Sequence, residues 1–213
     1  MKTVFSIIFF ILVILTVSRA QKVSSEPKVQ KQEQGVSRKK INTTPAAYQK
    51  AFETAFAAFP ELDPSKIIFK TTKIKTTLNT RPVFGDVIFR KRDNRKYVIR
   101  INAQNKDSII TLDEVPFGAQ VGILAHELCH ITDYQNRSFF GIFSRLMSYL
   151  SKKKKEKFEK EIDLEVINRG LGKELYEWSV FVQDHSDATS HYKKFKRDVY
   201  LEPDEIIPIL NER

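Results

Sequence analysis

Two histidines spaced four residues apart constrain this chain more than any other feature. His126 and His130 follow a largely apolar run, 116–125, that opens with Pro116. Proline suits the first turn of a helix, so the run predicts a buried helix that carries both histidines. Side chains at positions i and i+4 of a helix project from the same face. Both imidazoles can therefore reach one metal ion, and the spacing favours Zn²⁺.

Two other residues of the same helix bear on this interpretation. Glu127 directly follows the first histidine, where its carboxylate can take a proton from a water at the metal. Cys129 is the only cysteine of the chain, so no intramolecular disulfide can form. We expect Cys129 to be a small core residue rather than a thiolate ligand, because the carboxylates described below complete a site without it.

The third metal ligand has to come from elsewhere, since a catalytic zinc site usually has three protein ligands and one open position. One known continuation of the histidine pair has a glycine three residues after the second histidine and another histidine six residues after it. This chain has Asp133 and Asn136 at those positions, which excludes that class of site.

Glu159 and Asp163 offer a different solution. They lie four residues apart within a predicted helix, about 156–169, so their carboxylates share one face. Glu159 can bind the ion, while Asp163 accepts a hydrogen bond from a ligand imidazole and fixes its tautomer. Other candidates for the third ligand stay open: Glu161, Asp133, His185 and His191.

His126-Glu127-x-x-His130 followed by Glu159-x-x-x-Asp163 resembles the gluzincin metallopeptidases. The chain is most similar to their compact membrane-associated-peptidase and minigluzincin type, in which a short sheet accompanies two metal-bearing helices. The resemblance extends over roughly residues 45–170 in layout, but only over these motifs in sequence. It implies that His126, His130 and Glu159 bind zinc, that Glu127 is the general base and acid, and that Asp163 bonds a ligand histidine.

The rest of the chain predicts an α+β, zincin-like fold. A small, mostly antiparallel sheet is expected to pack on an N-terminal helix from Pro45, on the histidine helix and on the helix of Glu159. The predicted strands are 67–77, 83–90, 97–101 and 109–112, with the second and third forming a hairpin. Further helices are expected over about 138–150 and 171–182 and after Pro203.

The N-terminus predicts secretion or export to a periplasm. Residues 4–17 are almost wholly apolar, yet fall short of the roughly 20 residues that a membrane-spanning helix needs. Small residues, Ser18 and Ala20, follow at the positions that a signal peptidase requires. We therefore predict a cleaved signal peptide (1–20), a disordered basic linker (21–41) and one folded domain (42–213), with an uncleaved anchor as the lesser alternative.

The net charge of +10 bears on partners. The basic linker can make peripheral contact with anionic surfaces, whereas the lysine run 152–155 is interpreted as a solvated segment. Charge of one sign without interleaved aromatic residues does not indicate a specific nucleic-acid site. The expected partner is a protein or peptide substrate, and the expected state is a monomer.

The sequence thus predicts a secreted zinc metalloendopeptidase. A donor besides zinc must stabilise the oxyanion of the tetrahedral intermediate. The candidates are Tyr134, His185, His191, Tyr192 and Tyr200. The alternative is a non-catalytic module, in which a fourth ligand such as Cys129 closes a structural zinc site, or a latent one, in which residues 200–210 lie in the cleft.

Overall fold

The computed structural model describes residues 44–103 and 109–212, which lie within one compact unit, Lys39–Arg213. The predicted signal peptide and linker, 1–20 and 21–41, lie outside the described residues. Helices and a small sheet share one hydrophobic core, so the chain is α+β as predicted.

Eight α-helices are present among the described residues. They are α1 (Gln49–Phe56), α2 (Phe84–Phe89), α3 (Phe117–Gln135), α4 (Phe139–Ser148), α5 (Lys152–Asn168), α6 (Gly172–Val180), α7 (Ser190–Arg197) and α8 (Pro203–Asn211). A 3₁₀ turn, Ala46–Tyr48, leads into α1, and a π-turn, Phe181–His185, extends α6. The predicted N-terminal helix, histidine helix and glutamate helix correspond to α1, α3 and α5.

The sheet has three strands and is mixed. Its strands are β1 (Ile67–Thr72), β2 (Leu78–Pro82) and β3 (Tyr97–Asn102), in the order β1-β3-β2. β1 runs parallel to β3, whereas β2 runs antiparallel to it. The expectation of a mostly antiparallel sheet is therefore wrong: the chain between β1 and β3 is long enough for a crossover, which a parallel pair requires.

The predicted strand 83–90 is absent, and residues 84–89 form helix α2 instead. The apolar residues Val83, Phe84, Val87 and Ile88 repeat with a helical period. The Asp86 carboxylate accepts the N–H of Lys96 at 3.0 Å, which joins this helix to the chain before β3. The antiparallel partner of β3 is consequently β2. The predicted strand at 109–112 is also absent, because a 3₁₀ turn with a capping box, Leu112–Glu114, begins there.

Helix α3 lies at the centre of the molecule. It packs against α6, α1, β2 and α5, and most of its residues are buried. The approach to α6 is close: a Cβ atom at Gly122 would lie 2.2 Å from the carbonyl oxygen of Glu174. Glycine is needed there so that the two backbones can meet, and the contact fixes the helix that carries the histidines.

Candidate metal centre

His126, His130 and Glu159 meet at the interface of α3 and α5. The two Nε2 atoms lie 3.1 Å apart, and Glu159 Oε2 lies 3.2 Å from the first and 3.3 Å from the second. All three residues are buried, with exposed fractions between 2% and 6%.

This triangle fits a metal ion. Tetrahedral zinc bonds of about 2.0–2.1 Å place neighbouring ligand atoms about 3.3 Å apart, close to the three observed separations. Two imidazole nitrogens that face each other at 3.1 Å repel unless a proton or a cation lies between them. The three residues can therefore hold a metal ion. Two nitrogens and one carboxylate oxygen suit zinc, and several other divalent ions accept the same set.

Asp163 orients the imidazole of His126. Its Oδ1 accepts a hydrogen bond from His126 Nδ1 at 2.8 Å, so the proton of the neutral imidazole resides on Nδ1 and Nε2 faces Glu159 and His130. Its other oxygen accepts the backbone N–H of Leu201 at 2.9 Å. Asp163 thus lies where the sequence placed it, one helical turn beyond Glu159.

We expect Asp163→Asn to weaken zinc binding by roughly 10- to 100-fold, because an amide oxygen accepts from only one of the two donors and its NH₂ group opposes the other. Competitive titration against a zinc-binding dye measures the change. The matched control is Glu165→Gln on the same helix, whose carboxylate bonds Arg169 instead. Equal zinc affinity in the wild type and Asp163→Asn would show that Asp163 does not contribute to metal binding.

The electrostatics of the centre favour a cation. Burial lowers the pKa of His126, but the carboxylates of Asp163 and Glu159 outweigh burial and raise this pKa to about 10. Burial raises the pKa of Glu159, and the two imidazoles outweigh it, so this pKa lies well below its ordinary value. In the metal-free protein a proton supplies the positive charge that the carboxylates attract, and a metal ion can replace that proton.

Glu127, which follows His126 in the chain, has one carboxylate oxygen unpaired. Its Oε2 is buried and has no hydrogen-bond partner among the described residues. Glu127 and His126 line a cleft together with Lys196 and Tyr200. A buried acceptor without a partner costs about 1–3 kcal/mol, which a water in this cleft would offset.

Three tyrosines surround the ligands. The ring of Tyr134 stacks on His130 at 6.1 Å, and the ring of Tyr200 lies 5.5 Å from His126. The hydroxyl of Tyr149 donates to Glu159 Oε1 at 2.8 Å. Burial is the main cause that raises the pKa of each hydroxyl, so all three remain neutral donors at physiological pH.

Tyr149 is a residue that the sequence analysis missed. It follows α4, and its position in the sequence does not indicate that its side chain lies near the histidines. Of the predicted oxyanion donors, only Tyr200 lines the cleft with Glu127. Tyr192 is buried, and its hydroxyl lies 3.2 Å from that of Thr77.

The other ligand candidates lie elsewhere. Asp133 pairs with Arg137 and Arg145, and Glu161 pairs with Arg145. His185 and His191 are exposed and do not line the cleft. Cys129 is buried, and burial raises the pKa of its thiol. Within residues 44–103 and 109–212, only His126, His130 and Glu159 gather at metal-ligand distances.

Lys196 places a cation in the cleft, and sequence reasoning missed it too. It is buried, and its Nζ lies 4.0 Å from the centre of the Tyr200 ring and 5.4 Å from that of Trp178. It forms no ion pair within the described part of the chain. In the sequence it is one of several basic residues in 193–197, and only the fold separates it from its exposed neighbours.

Comparison of the chain with protein families, curated proteins and solved structures gives no match. In the described ranges, 44–103 and 109–212, no helix combines the length and the apolar character needed to cross a membrane.

Proposed function

We propose that the protein is a zinc-dependent metallopeptidase whose general base and acid is Glu127. The observation that carries the proposal is the unpaired, buried Oε2 of Glu127, which lines a cleft with His126, one of the three residues whose ligand atoms suit one metal ion. A site with three protein ligands, a neighbouring carboxylate and an adjoining cleft is typical of catalytic rather than structural zinc.

In this mechanism a bound zinc ion would polarise the attacking water and the scissile carbonyl. Glu127 accepts the proton of that water and delivers it to the leaving amine, so one carboxylate acts first as base and then as acid. Asp163 keeps Nε2 of His126 free to coordinate, and Tyr149 holds the carboxylate of Glu159 in place. Tyr200, which lines the cleft, is the best placed tyrosine to donate to the oxyanion.

The burial of the site favours a latent form of this enzyme as the second candidate. Tyr200 packs on His126, and the N–H of Leu201 bonds Asp163, so the chain between α7 and α8 lies against the metal centre. These contacts support the latent alternative, in which residues 200–210 lie in the cleft.

The test of the proposed function is cleavage of a mixed peptide library by the purified protein before and after metal removal. We expect cleavage to stop in the presence of a chelator and to return with one equivalent of zinc, while circular dichroism shows a fold that persists throughout. Unfolding on metal removal, with no cleavage in any state, would favour the structural zinc site. Bound zinc, a stable fold and no cleavage would favour the latent form.

Lys196 bears on the substrate of this proposed enzyme. A cation held among aromatic rings in the cleft, without a carboxylate partner in the described part of the chain, can bind an acidic side chain or the C-terminal carboxylate of a peptide.

We expect Lys196→Met to lower kcat/KM by roughly 10- to 100-fold for peptides that carry such a carboxylate, since a charge-assisted hydrogen bond is lost. Amidated or neutral analogues should be affected less. Lys194→Met is the matched control, because Lys194 lies on the same helix and pairs with Asp198 at the surface. A uniform loss over all peptides would contradict this role.

A further inference from the structure

Helix α4 turns an apolar surface towards solvent. Phe140 is 79% exposed and Leu146 is 61% exposed. The exposed apolar residues of the helix are Phe139, Phe140, Phe143, Leu146 and Met147, and exposed Leu150 lies two residues beyond its end. At 100° per residue the five helical positions fall within an arc of about 120°, so they form one continuous face. We refer to these six residues as the α4 face.

The opposite side of α4 holds the helix on the protein by polar contacts. The guanidinium of Arg145 donates to Asp133 at 3.1 Å and to Glu161 at 3.2 Å, and it lies 4.2 Å from the ring of Phe158. Ile142 is the buried apolar residue of this helix. A surface helix normally buries its apolar stripe and exposes its polar side, so the orientation of α4 is inverted.

Lysines lie at the end of the α4 face. Helix α5 opens with Lys152–Lys155, has no acidic residue in its first turn, and exposes Lys153, Lys154 and Lys157. These three lysines form no ion pair among the described residues. Cations at a helix N-terminus oppose the helix dipole, so the run does not stabilise α5. Its position next to the α4 face indicates a binding role.

Helix α2 repeats the pattern on a smaller scale. Phe84 and Phe89 are exposed, the latter by 77%, and exposed basic residues 90–92 follow. The guanidinium of Arg95 donates to the carbonyl oxygen of Arg137 at 2.7 Å, which ties the chain after α2 to the chain just before α4.

We propose that the α4 face and the lysines beside it dock the protein on an anionic lipid bilayer. The apolar side chains would enter the boundary between headgroups and acyl chains, and the lysines would meet the lipid phosphates. Charge selects this occupant: in a dimer through the same face, the lysine runs of two chains that each carry a net charge of +10 would lie close together and repel. The proposal does not depend on the zinc chemistry.

The experiment is sedimentation of the full chain with vesicles of phosphatidylcholine alone or with one third phosphatidylglycerol. We expect binding to the anionic vesicles that weakens with salt, and a loss of roughly 10-fold or more in the double variant Phe140→Ser/Leu146→Ser. The charge reversal Lys153→Glu/Lys154→Glu should also reduce binding. The control Ile207→Ser changes an exposed apolar residue of α8 and should bind as the wild type does.

Every variant alters exposed side chains, so unchanged circular dichroism and unchanged zinc binding check that the fold is intact. All variants keep the same N-terminus, so their differences report on α4 and α5 alone. Equal vesicle binding by the wild type and Phe140→Ser/Leu146→Ser would overturn the proposal, as would absence of binding by the wild type. A dimer that this double variant dissociates, without vesicle binding, would assign the face to a second copy instead.

Discussion

Replacing Glu127 by glutamine is expected to lower peptide hydrolysis by about 10²- to 10⁴-fold and to leave the zinc content unchanged. Glutamine keeps the size and shape of the side chain but cannot accept and return a proton at neutral pH. The three ligand atoms belong to other residues, so their triangle of 3.1–3.3 Å separations persists in the variant. Initial rates on a peptide that the wild type cleaves, with metal analysis of the same samples, measure both quantities.

Glu165→Gln supplies the control for a changed charge, since Glu165 pairs with Arg169 away from the cleft. The pH profile provides a second readout: the limb that reports a general base should disappear in Glu127→Gln. Full activity in Glu127→Gln would show that another group is the general base. Loss of zinc together with activity would show that Glu127 supports the metal rather than the proton transfer.

The parts of the candidate metal centre that lie within a single helix could be predicted from the sequence. His126 and His130 lie one helical turn apart on α3, as do Glu159 and Asp163 on α5, and a turn of helix fixes which side chains share a face. How the two helices pack against each other is set by the tertiary structure, and in the sequence only the family resemblance predicted that these faces would meet. Tyr149 follows α4 and Lys196 lies on α7, and no spacing pattern in the sequence predicts that either residue lies near the histidines.

The errors in the sheet have a related cause. Residues 83–90 contain β-branched and aromatic residues, which favour a strand, but residues 84–89 form a short helix whose Asp86 carboxylate accepts the N–H of Lys96. Once these residues are helical, β2 becomes the antiparallel neighbour of β3, and β1 takes the remaining edge in parallel. Pro82 is accommodated because β2 is an edge strand.

Helix α4 shows a further limit of periodicity. The sequence predicted an amphipathic segment at about 138–150, and α4 with its flanking residues occupies it. An apolar stripe in the sequence does not tell which side of the helix meets the protein. Here Arg145 fixes the orientation through Asp133 and Glu161, and the stripe remains on the surface.

Replacing Glu159 by glutamine is expected to reduce zinc affinity by more than roughly 100-fold. This loss is larger than the one expected for Asp163→Asn, because Asp163 only orients the His126 imidazole. An amide is a weak ligand for zinc, and the negative charge that offsets the ion is lost. The matched control is Glu161→Gln, two residues away on the same helix. The side chain of Glu161 is 43% exposed and pairs with Arg145, whereas that of Glu159 is 3% exposed.

Isothermal titration of the metal-free proteins with zinc measures the affinities. We expect Glu161→Gln to bind one equivalent as the wild type does, since a surface ion pair contributes little and lies away from the ligands. Peptidase activity should follow occupancy, so that excess zinc restores part of the activity of Glu159→Gln. The opposite ranking, with Glu161→Gln the weaker binder, would place the third ligand on the outer face of α5. Because the triangle of ligand atoms could not then form, the proposed mechanism would fail with it.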